Sequence, residues 1–97
     1  MAQSIALRII TQEGAAIDDD AVSVVAPGEL GYLGILRNHA PLVTTLKPGK
    51  LTWRRPSGEQ LARRIGEGLL EVVRNTVTVL TDTISAPQSV ASERSLP

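Results

Sequence analysis

Cysteine and phenylalanine are absent from this chain, and tryptophan, tyrosine and histidine occur once each. Without cysteine there is no disulfide, no thiolate nucleophile and no sulfur-ligated metal. With Trp53 and Tyr32 as the only aromatics, the chain lacks the stacking platforms that hold sugars and single-stranded nucleic acids. Charge of one sign is lacking too, because ten basic residues balance ten acidic ones. Duplex binding needs an excess of Lys and Arg to displace counterions, so nucleic acid is not an expected partner. No apolar run approaches the ~20 residues that span a bilayer. Arg8 breaks the apolar N-terminal segment, which therefore does not read as a signal peptide. The expectation is a soluble, cytoplasmic chain whose membrane association runs through a partner.

What is present is aliphatic and alternating. Ninety-seven residues make one domain, and its core must be built from Val, Leu, Ile and Ala. Ile5, Leu7 and Ile9 alternate with Ala6, Arg8 and Ile10, a strand pattern. Residues 11–14 read as a turn, residues 15–17 as a short strand, and Asp18-Asp19-Asp20 as a solvated acidic turn. The β-branched run 22–26 reads as a strand stopped by Pro27-Gly28. Residues 51–55 and 61–65 form a hairpin around Pro56-Ser57-Gly58-Glu59, and residues 69–73 and 77–80 form another around Arg74-Asn75. Turn signals about every ten residues indicate an all-β sandwich or barrel. Residues 85–97 are Ser-rich, carry proline at two positions, and read as a short irregular C-terminal tail.

The densest signal is residues 28–49, GELGYLGILRNHAPLVTTLKPG. Gly28, Gly31, Gly34, Pro41, Pro48 and Gly49 punctuate two apolar stretches, 32–36 and 42–46, and specify shape rather than chemistry. The G-x-x-G-x-x-G spacing opens no helix, and Gly49-Lys50 is followed by Leu51, so neither a phosphate cradle nor a Walker motif results. His39, the lone histidine, has no partners for a metal site, and reads as a structural or interface residue. The acidic triplet lacks calcium-loop spacing. Arg54-Arg55 and Arg63-Arg64 read as solvated edge charges or contacts to an acidic partner, and Trp53 as core or interface filler. No set of residues supplies a nucleophile, a base and oxyanion donors together, so an enzyme is not expected and no cofactor or metal is called for.

Residues Leu36, His39, Ala40, Pro41, Leu42, Leu46, Pro48 and Gly49 closely resemble the glycine loop, LxxHAPL and LKPG run of the epsilon subunit of F-type ATP synthases. Val25-Ala26-Pro27-Gly28, residues 66–72 and residues 77–83 resemble that family's VxAPG, SGGFLEV and VTVLADTA segments. The likeness covers about residues 7–83. It implies a flattened β-sandwich of about ten short strands in two sheets, over residues 1–84, followed by a flexible tail over 85–97. It also implies a non-catalytic rotor subunit of the central stalk, held against the gamma subunit and the c ring within a hetero-oligomeric complex. Such a subunit lies peripherally at the cytoplasmic face of the membrane and helps couple proton translocation to ATP synthesis. Carried over by position, Thr11, His39 and Thr44 would face gamma, and Gly31, Tyr32 and Leu33 would approach the c ring. Tyr32 stands where some relatives have an acidic residue, Arg37 where proline is usual, and Glu67 where the family has glycine. The C-terminal helical hairpin of most members has no counterpart in residues 85–97, so its inhibition and ATP binding are not expected. The alternative is a stand-alone β-sandwich module that binds a protein or peptide in a pocket of convergent polar groups.

Overall fold

Alternation along each strand sets the architecture. In a computed structural model, which describes residues 4–88, β1 (Ile5–Thr11) sends Ile5, Leu7 and Ile9 inward and leaves Ala6 and Arg8 outside. The remaining strands are β2 (Ala16–Ala21), β3 (Ser23–Gly28), β4 (Gly31–Leu36), β5 (Leu42–Leu46), β6 (Gly49–Arg54), β7 (Gln60–Ile65), β8 (Gly68–Val73) and β9 (Thr76–Thr81). The described residues contain no helix and form an all-β fold.

Nine strands join in the order β2-β1-β9-β8-β5-β3-β6-β7, with β4 paired to β3. The path crosses from one half to the other at a single register pair, Gly28 with Leu46. Both halves feed one core: Leu7, Leu70, Val72, Val77 and Val79 from the first, Val24, Ile35, Leu51 and Trp53 from the second. The sandwich is thus one curled sheet whose inner faces meet, rather than two separate sheets. About ten strands were expected and the described residues form nine; residues 84–88, at the start of the expected tail, make two antiparallel bridges to β7, at Ile84–Ile65 and Gln88–Ala62. Ser85 N–H donates to Arg64 O at 2.9 Å, and the Arg63 guanidinium donates to Ser85 O at 2.9 Å. The rest of the expected tail lies outside the described residues.

Two local expectations are corrected. Asp18-Asp19-Asp20 is strand, not turn, because β2 pairs with β1 in a register that sets Asp18 opposite Arg8. The Arg8 Nε donates to Asp18 Oδ1 at 3.0 Å, so the cross-strand pair favours extension. Pro27-Gly28 does not stop β3 but lies within it. β3 pairs with β6 through Val25 and with β5 at Gly28, so Pro27 sits where the strand changes partner and its missing N–H costs no ladder bond. Both expected hairpins form. Gly58 takes φ 97° in one turn, and Arg74 and Asn75 take φ 49° and 59° in the other. β1 and β9 pair in parallel, a contact between opposite ends of the chain that joins the first strand to the last hairpin.

Candidate interaction surfaces

Strand alternation also decides which apolar residues stay outside. On β8, Leu70 and Val72 are buried whereas Leu69 and Val73 are each 41% exposed. Register sets Leu69 beside Leu80 of β9, and Leu80 beside Ile10 of β1. Thr45 of β5 completes that row, and Val43 lies one step along the same face. A concavity of about 790 Å³ opens over the row, bordered by Glu29, Lys47, Glu67 and Asp82.

A second apolar surface belongs to the other half. Glu29 and Leu30 form the turn between β3 and β4, and Leu30 projects fully into solvent. Tyr32 and Leu36 are also exposed. Among the described residues β4 pairs with β3 alone, so its other edge takes no further strand.

The residues expected to face gamma are not gathered at one point. Thr11 is buried, its hydroxyl held in the 11–15 turn by Ala15 N–H at 3.2 Å. It nevertheless lines the concavity from below. Thr44 is half-buried on the inward side of β5, opposite the buried Leu70, while its neighbours Val43 and Thr45 point out. His39 lies half-buried before β5, near the opposite end of the sheet, with Nδ1 2.7 Å from Ala40 O. The Asn38–Asn75 contact marks that end: Asn38 N–H donates to Asn75 Oδ1 at 2.6 Å.

The glycine-loop residues divide similarly. Gly31, at φ 133°, needs the freedom that glycine has. Leu33 is half-buried and packs against the core, whereas Tyr32 lies outside with its hydroxyl accepting Lys50 N–H at 3.1 Å. The solvent-facing tip is therefore Leu30, which sequence reading passed over although it sits between Gly28 and Gly31. A Cβ on Gly49 would stand 2.7 Å from Pro27 Cβ, and one on Gly28 would meet the Leu33 side chain at 2.5 Å. Both positions require glycine. Gly34 does not: a Cβ there would enter open space. Pro41 and Pro48 are exposed and flank β5 at either end.

Sequence reading also missed the polar cluster that ties β2 to β6. Asp19 Oδ2 accepts the Trp53 indole N–H at 2.8 Å and the Arg55 Nε–H at 2.9 Å. Burial pushes the Asp19 carboxyl up, but hydrogen bonds from Trp53, Arg55 and Asp20 N–H, with the Arg55 charge, hold it below the ordinary carboxylate value. Arg55 also pairs with Glu59 at 2.8 Å, and Arg54 donates to Gly58 O at 3.2 Å. Arg54 thus braces its own hairpin, while Arg55 both braces it and ties it to β2. Among the described residues no cluster of His, Cys, Asp or Glu could hold a metal ion, and no helix is long and apolar enough to cross a membrane.

Residues 4–87 match the model of the ATP synthase delta/epsilon chain β-sandwich domain family. The ATP synthase epsilon chain of Stenotrophomonas maltophilia (strain K279a) is 49% identical over 82 residues, covering 84% of this chain and 59% of that protein. The ATP synthase epsilon chain of Xanthomonas campestris pv. campestris (strain B100) gives the same identity and coverage. The chain thus spans about 59% of the length of the curated relatives it matches. Among solved structures, a chain in the Euglena gracilis mitochondrial ATP synthase OSCP/F1/c-ring assembly superposes with a TM-score of 0.80 at 20% identity, covering 96% of this chain and 60% of that one. A chain in the Tetrahymena thermophila mitochondrial ATP synthase central stalk/c-ring gives 0.67 at 19%, covering 86% and 66%. At these identities the two structures speak to the fold.

Proposed function

We propose that this chain, which belongs to the ATP synthase delta/epsilon-chain β-sandwich family, serves as a non-catalytic rotor subunit that links the gamma subunit to the c ring. Its contribution is mechanical: a stiff sheet with two separate partner surfaces transmits torque and helps couple proton flow to ATP synthesis. The observation that carries this reading is the pair of exposed apolar surfaces on different halves of one fully packed sheet. Leu69, Leu80 and Val43 form the first, and Leu30, Tyr32 and Leu36 the second. Two such patches on so small a domain suit a part wedged between neighbours.

In this arrangement gamma covers the outer face of β1, β9, β8 and β5, which Thr11 underlies and whose strand β5 carries Thr44, with His39 at the margin. The c ring meets the β3–β4 turn through Leu30, Gly31 and Tyr32, while Leu33 anchors that turn to the core. The protein then lies peripherally at the cytoplasmic face of the membrane, held there through the ring. Co-purification tests this. A tagged chain expressed in its host should recover gamma and c-ring subunits from gently solubilised membranes, and deleting it should lower proton-driven ATP synthesis. Recovery of neither subunit from intact complexes would overturn the reading in favour of an independent binding module.

A further inference from the structure

The outer face has a charge pattern as well as an apolar floor. Residues two apart on a strand share a face, so Glu67, Leu69 and Glu71 of β8 and its approach point the same way. Leu80 and Asp82 do likewise on the β9 side. The row Ile10–Leu80–Leu69 is therefore bounded by Glu67 and Asp82 on one side and by Glu71 on the other. Arg8, on the same face, is already paired with Asp18 at 3.0 Å, which leaves Lys47 at the corner as the opposing charge. Glu67 and Glu71 have no ion-pair partner among the described residues and are exposed.

Dimensions narrow the occupant. Strands lie about 4.8 Å apart, so the row from β1 to β5 is roughly 15 Å long, and Glu67 and Glu71, four residues apart along the strand, set an acid-to-acid width of roughly 13–14 Å. A helix with its side chains is about 10–12 Å across, which fits within the acid-to-acid width of the trough if the helix lies across the strands. From these features we infer that the trough receives an amphipathic α-helix of a protein partner, with a narrow apolar stripe flanked on both sides by Lys or Arg. The stripe rests on Ile10, Leu80 and Leu69, and the flanking cations meet Glu67, Asp82 and Glu71. This rests on the rotor reading, since it gives the chemistry of the stalk segment that the face accepts. A partner with acidic flanks would be repelled at the same trough, so the acids select as well as attract.

The test uses the full chain, labelled with nitrogen-15, and two synthetic helical peptides of about 18 residues, long enough to hold helix in water when the host is favourable. Both carry the same leucine stripe; one is flanked by Lys and the other by Glu. The Lys peptide should shift amide signals of β8, β9 and the end of β1, and bind at least tenfold tighter than the Glu peptide at low salt, with the difference shrinking as salt is added. Leu80→Asp, at an outward position, should abolish binding while the spectrum stays folded. Glu67→Lys combined with Asp82→Lys should narrow the preference between the peptides to about threefold or less, because exposed charge pairs contribute modestly. Equal binding of the two peptides, shifts confined to other strands, or a self-associated chain that Leu80→Asp turns monomeric would each overturn the inference. The rotor reading fails separately. Peptide binding without recovery of gamma or c-ring subunits removes that reading alone, and subunit recovery with no peptide preference removes the trough inference alone.

Discussion

Replacing Asp19 by alanine removes the acceptor on which the buried Trp53 indole depends. Trp53 is 2% exposed, and its Nε1–H donates to Asp19 Oδ2 at 2.8 Å. A buried donor left without a partner costs about 1–3 kcal/mol, so Asp19→Ala should destabilise the domain by roughly 2 kcal/mol. The Arg55 side chain is 40% exposed, so solvent screens its share of the loss. For a domain of this size ~2 kcal/mol lowers Tm by roughly 8–16 °C. Asp19→Asn keeps an oxygen that can accept from the indole and should cost only about half as much. Asp18→Ala is the control: its pair with Arg8 lies in solvent, and the loss should stay within ~0.5 kcal/mol. Trp53 is the sole tryptophan, so urea unfolding of the Asp19 variants can be followed by its fluorescence. Trp53→Phe, followed by far-UV circular dichroism, completes a double-mutant cycle that should show a coupling of about 1 kcal/mol or more. An Asp19→Ala midpoint indistinguishable from that of Asp18→Ala would refute the reasoning.

Further outcomes follow from the same geometry. Because Asp19 titrates below its ordinary value when folded, its stabilising contribution is present above the unfolded pKa near pH 4 and disappears as pH falls through the lower folded value. Wild type should therefore lose more stability than Asp19→Asn between about pH 5 and pH 2 in urea titrations. Gly49→Ala forces a Cβ to 2.7 Å from Pro27 and should cost about 1–3 kcal/mol, whereas Gly34→Ala enters open space and should be neutral or slightly stabilising by thermal melting. Asn75→Ala removes the acceptor for Asn38 N–H and strains a residue at φ 59°; denaturant unfolding should show a loss of roughly 1–2 kcal/mol.

Much of this was legible where chain-local rules govern. The Ile5-Leu7-Ile9 alternation and the split faces of Leu69-Leu70 and Val72-Val73 follow from a period of two, and the two hairpin turns from the turn residues at 56–59 and 74–75. Turn signals about every ten residues pointed to the all-β class, and the resemblance through His39-Ala40-Pro41-Leu42 and residues 46–49 pointed to the family. What escaped was decided by pairing between distant segments. Asp18-Asp19-Asp20 reads as a turn until Arg8, Trp53 and Arg55 are placed beside it. Pro27 reads as a terminator until the strand is seen to exchange β6 for β5. The parallel β1–β9 ladder leaves no local mark at all. Strand parity also places the residues carried over by position: Thr44 points inward while Val43 and Thr45 lie at the surface, and Leu30 projects beyond Gly31 and Tyr32. Parity could have been read from Leu46, whose burial fixes the outward side of β5.

The central claim is that this sheet acts as a wedge between two neighbours, and an electron cryo-microscopy map of the purified complex containing the tagged chain tests it most directly. The account predicts density for the chain at the foot of the stalk, with the Leu69–Leu80 face covered by gamma and the Leu30 turn against the c ring. A map of the intact rotor without this chain, or with both apolar surfaces open to solvent, would contradict it.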